Sequence, residues 1–132
     1  MSAFSSIPDL EEFERIALAA YDRLPEEFRA LTGDIQIRVA ERADRESLAA
    51  VGLTHPLELL GLFEGIGLAH APATPYSGLM PNRVWLYRQA ILAYWQDHDE
   101  RLDDIIAHVL VHEIGHHFGL SDDDMEEIEA AD

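Results

Sequence analysis

One stretch governs what this chain can become. Leu102, Ile105, Ile106, Val109, Leu110, Ile114 and Phe118 recur at intervals of three and four, and Gly119 ends the run. That spacing predicts a long helix buried along one stripe, starting near Asp99. On it lie His112-Glu113-Ile114-Gly115-His116 and then His117, with an acid at Asp122 just beyond. Residues four apart sit about 40° apart around a helix and one turn along it, so His112 and His116 share a face. Two imidazoles so placed can converge on one metal ion at about 2.0–2.1 Å. Glu113, about 100° round, falls beside such an ion, where a base for an attacking water is needed. Gly119 can take the left-handed conformation that ends the helix and reverses the chain, so the acid three residues later approaches from another side.

The pattern is specific. H-E-x-x-H alone arises in roughly 4% of shuffles of this composition, and the added glycine and acid reduce that to well below about 0.1%. The chain has no cysteine, which excludes disulfides, thiol catalysis and cysteine-ligated zinc. A metal must therefore be held by His, Asp or Glu. Spacing selects Asp122 as the third ligand, with Glu126, one turn on, as its main competitor. His117 points away from His116 and is expected to pack inside or bond to backbone. His108, one turn before His112 on the same face, reads as a plain helix histidine, with support of the site or an extra metal as the alternative.

At 132 residues the chain suits a single domain over 1–132. Acids outnumber bases 26 to 9, for a formal net charge of −17, and every base is arginine. Without lysine there is no Schiff base and no P-loop lysine. So negative a field repels nucleic acid and anionic membrane surfaces, and neither is expected as a partner. The N-terminal residues lack the basic and apolar regions of a secretion signal, and no apolar run is long enough to span a bilayer, so a cytoplasmic location is expected.

Elsewhere the elements read more coarsely. Ser5 or Ser6 before Pro8 suggests a helix start, followed by the stripe Leu10, Phe13, Ile16, Ala17, Ala20 and Tyr21. A short helical piece over 26–31, a turn at Gly33-Asp34 and a strand over 35–39 follow. Further on come a short helix over 44–51, a short strand or turn near 59–65, a proline-rich loop over 71–81, a strand over 83–88 and a helix over 89–96. Ser121 to Asp124 resembles a capping box opening a last helix. Trp85 and Trp95 read as core. Tyr76, Tyr87 and His70 precede the long helix and are candidate hydrogen-bond donors, though each is better read as structural. The 83–88 strand fits either a free edge for an extended peptide or an interior position.

With these residues the chain resembles the small bacterial zincin-like metallopeptidases, or minimal zincins. Their signature H-E-x-x-H-x-x-G-x-x-D is matched by His112, Glu113, His116, Gly119 and Asp122. His-His-Phe-Gly at 116–119, Leu60-Gly61-Leu62-Phe63-Glu64-Gly65 and the 81–88 strand are similar too, in the same order. The resemblance implies an α+β zincin-like fold, with a small sheet packed on the active-site helix. It implies one Zn2+ held by His112, His116 and Asp122, with Glu113 as general base, and a peptide or protein as substrate. A separate Met-turn, as in larger relatives, is not visible, since Met125 falls inside the last helix. The alternative is a catalytically silent module, stapled by zinc, that binds or regulates through its acidic surface.

Overall fold

A computed structural model describes residues 7–33, 35–64 and 82–130. The chain folds as α+β, with helices α1 (Leu10–Asp22), α2 (Glu26–Thr32), α3 (Arg45–Ala50), α4 (Arg88–Asp97), α5 (Leu102–His117) and α6 (Asp122–Ala130). Strands β1 (Ile35–Ala40), β2 (Gly61–Glu64) and β3 (Asn82–Tyr87) form one sheet in the order β1-β3-β2. β1 runs parallel to β3, and β2 runs antiparallel to it.

Alternation along β3 divides the interior. Val84 and Leu86 enter the main core with Phe13, Ala17 and Ala20 of α1 and Ile106, Leu110 and Ile114 of α5. Tyr87 joins a smaller cluster with Ala43, Leu48, Leu59 and Ala90, against which Trp85 packs. Side chains on a strand point alternately to opposite faces, so β3 feeds both clusters. The 83–88 strand is thus interior, paired on both sides, and the free-edge alternative does not hold for it. Among the described residues, β2 pairs with β3 alone.

Several boundaries move. Asp9 caps α1 by accepting a hydrogen bond from the Glu12 amide at 2.8 Å, so the helix starts after Pro8 rather than at a serine. α5 starts at Leu102, with Asp103 and Asp104 in its first turn where the helix dipole favours them. Trp85 and Trp95 are half-buried rather than core, because each indole N–H reaches a partner near the surface: Glu64 Oε1 at 2.9 Å and the Glu100 carbonyl at 3.0 Å. The 71–81 loop, His70, Tyr76, Ser5, Ser6 and Asp34 lie outside the described residues.

The hairpin between α5 and α6 matters most for the site. Gly119, at φ +80°, ends α5. Its amide donates to the His116 carbonyl at 3.2 Å, and the Leu120 amide donates to the Gly115 carbonyl at 2.9 Å. This pair of bonds satisfies the last carbonyls of the helix and turns the chain back. Ser121 then caps α6: the Asp124 amide donates to Ser121 Oγ at 3.1 Å and the Ser121 amide to Asp124 Oδ2 at 3.2 Å. The expected capping box is present. Below the turn Met125 is fully buried against Gly115. A Cβ at Gly115 would stand 2.6 Å from Met125 Sδ, so glycine there sets how closely the two helices approach.

Candidate metal centre

α5 and α6 run back to back, with imidazoles on one and carboxylates on the other. His108, His112 and His116 stand on successive turns of α5. The His108 and His112 ring centres are 4.1 Å apart, and those of His112 and His116 are 5.6 Å apart and nearly perpendicular. From α6, Asp122 Oδ1 lies 3.9 Å from His116 Nε2. Two turns on, Glu129 Oε2 lies 3.4 Å from His112 Nε2, and Glu129 Oε1 lies 2.8 Å from His108 Nδ1. Among the described residues, the donor atoms of His108, His112 and Glu129 come within 4.8 Å of one another.

The structure thus brings His112 and His116 onto one open turn and Asp122 to His116. It also brings in a carboxylate that spacing alone did not single out. Glu129, not Glu126, meets the histidines. Asp122, Met125 and Glu129 recur at three and four, so both acids fall on the side of α6 that buries Met125; Glu129 is half-buried there, whereas Asp122 at the helix start and Glu126 are exposed. The one local signal that could have found it is apolar Met125 among the acids of this helix, which marks the side facing α5.

Glu113 lies inward of this row. A Cβ at Gly61 would be 3.4 Å from Glu113 Cγ, so β2 passes directly beside the glutamate. Burial pushes the Glu113 carboxyl above its ordinary value, and the His116 charge opposes this. Burial also holds the His112 imidazole below its ordinary value, aided by His108 and opposed by Glu129. A neutral imidazole is the form that binds a metal. His117 stacks on Phe63 of β2, with ring centres 4.0 Å apart, matching its expected packing role. Tyr87 is buried in the smaller cluster, and its hydroxyl is pushed up chiefly by that burial.

The donor chemistry fits zinc. Tetrahedral donors about 2.0–2.1 Å from one ion stand roughly 3.4 Å from each other, as His112 Nε2 and Glu129 Oε2 do. His116 and Asp122 are wider apart at 3.9 Å, and among the described residues the set gathered within 4.8 Å is His108, His112 and Glu129, not the predicted His112, His116 and Asp122. Both nitrogen and oxygen donors suit this ion.

A family model for zincin-like metallopeptidases matches residues 32–131, from the end of α2 through α6. The chain belongs to the zincin-like metallopeptidase family. No curated protein matches it significantly. The matched span takes in the sheet, α5 and the hairpin that carries the carboxylates, so in this zincin-like chain the family core and the candidate metal centre coincide. None of its described helices is long and apolar enough to cross a membrane.

Proposed function

We propose that the protein is a zinc-dependent peptidase in which His112, His116 and Asp122 hold the metal and Glu113 is the general base. The reading is carried by the hairpin that sets the Asp122 carboxylate 3.9 Å from His116 Nε2, on the same helix as His112 and Glu113. When bound, zinc supplies Lewis acidity, which polarises a carbonyl and makes water a stronger acid. The Glu113 carboxylate takes the proton of the attacking water and later delivers it to the leaving amine. Its partial burial favours that task, since a raised carboxyl is a stronger base than one in free solution. β2 supports an extended peptide as substrate: an edge strand among the described residues, it can pair with a further strand directly beside Glu113.

The silent zinc-stapled module is not favoured. α6 is already fixed to α5 by the Gly119 turn, the Ser121 cap and buried Met125, so no metal is needed to fasten it.

The test is hydrolysis of a peptide library by protein stripped of metal and reloaded with zinc. Cleavage should depend on zinc, fall at least about a hundredfold in Glu113→Gln without loss of zinc, and fall similarly in Asp122→Ala. Full activity in Glu113→Gln would remove that residue from the mechanism. Absence of zinc-dependent cleavage would return the silent module to the front.

A further inference from the structure

We propose that His108, His112 and Glu129 form a second divalent-cation set, overlapping the motif's own set through His112. The inference goes beyond the peptidase reading and does not depend on it. Its three donors come within 4.8 Å of one another. The two oxygens of Glu129 are divided between the histidines, Oε1 on His108 Nδ1 at 2.8 Å and Oε2 on His112 Nε2 at 3.4 Å. An ion between them replaces the His108–Glu129 hydrogen bond and widens that contact toward the tetrahedral spacing of roughly 3.4 Å.

The set repeats the logic of the motif one turn lower on α5. Each set takes two histidines four residues apart from α5 and one carboxylate from α6. Access is open, because His108 and Glu129 line a recess of about 290 Å³ together with Arg23, Glu100 and Asp104. The His108 side chain is 55% exposed. Two imidazoles and a single carboxylate select borderline transition ions such as Zn2+, Co2+, Ni2+ or Cu2+ over Mg2+ and Ca2+, which demand more oxygen.

Sharing decides how the sets behave. The nitrogen that His112 turns toward Glu129 is Nε2, and one imidazole nitrogen binds one ion. An ion drawn into the lower set therefore leaves the upper with His116 and Asp122 alone. Because both sets need His112, they are alternative seats for one ion.

The experiment is titration of the metal-free full chain with Co2+, read by its visible absorption and by bound metal per chain. The His116→Ala/Asp122→Ala variant should still bind about one Co2+, within about tenfold of the wild-type affinity. Adding either His108→Ala or Glu129→Gln to it should weaken binding by about a hundredfold or more. Circular dichroism checks that each variant is folded. Loss of Co2+ in the His116→Ala/Asp122→Ala variant would overturn the proposal, as would binding in it that ignores both His108→Ala and Glu129→Gln. Neither result bears on zinc-dependent cleavage by the wild-type chain, so this inference and the peptidase reading can fail separately.

Discussion

At Glu113 and its neighbour His112, burial disfavours charge on both side chains, raising the acid and lowering the base. The consequence for Glu113 has a definite sign. Its folded-state pKa lies above the unfolded one, so the ionised carboxylate costs stability at neutral pH, and that cost disappears as pH falls through the folded pKa. In metal-free protein, Glu113→Gln should be more resistant to urea than wild type at pH 7, with the gap closing toward acid. A less stable variant at pH 7 would mean that burial does not govern this carboxyl. Asp103 is the opposite case. Its hydrogen bonds to Arg101, and further to Arg23 just past the end of α1, push its carboxyl down to about 2. That contribution is present above the unfolded carboxylate pKa and is lost as pH falls through about 2. Solvent screening reduces its worth, so Asp103→Asn should cost about 1 kcal/mol at pH 7 and nothing measurable near the acid end of that window. Denaturation curves of the two proteins at both pH values decide it.

At the scale of elements, the α5–α6 hairpin stands on two glycines with different duties. Gly119 supplies a positive φ, which alanine adopts at a cost of about 1 kcal/mol or more. Gly115 supplies room, and Gly115→Ala should cost about 1–3 kcal/mol through the clash with fully buried Met125, partly offset by the better helix propensity of alanine. The distinguishing measurement is metal affinity. Gly115→Ala wedges α6 away from the histidines and should weaken Co2+ binding, whereas a loss of stability with unchanged affinity would show that α6 tilts without moving its acids. Much of this hairpin was legible beforehand: the apolar period of α5, the stop at Gly119 and the serine cap are local signals. The pairing of β3 was not. Alternating residues there mean that neighbouring side chains face opposite ways, and nothing local records that Val84 and Tyr87 each find a separate core. Glu129 was missed for a related reason, since it meets His108 across 21 residues of chain and only the hairpin joins them.

Across the whole molecule, a net charge of −17 sits on a fold whose bases are all arginine. Most of the acids are exposed, and α6 alone carries Asp122, Asp123, Asp124, Glu126, Glu127 and Glu129. Such self-repulsion is relieved by salt over a Debye length of about 10 Å at 0.1 M. The melting temperature should therefore rise as sodium chloride increases from about 0.02 to 0.5 M, more in wild type than in a variant with Asp123 and Glu127 neutralised. A melting temperature that is flat or falls with salt would mean that the arginine pairs, not the repulsion, dominate.

The hairpin also separates two clocks. His116 and Asp122 are joined by a short turn, so closing that loop costs little chain entropy. The sheet must instead bring β1 to β3 across a span of 47 residues, as in the Gln36–Arg83 contact. Contacts so distant along the chain form slowly. In a refolding chain the metal donors meet early, while the strand that runs beside Glu113 is still waiting for its sheet.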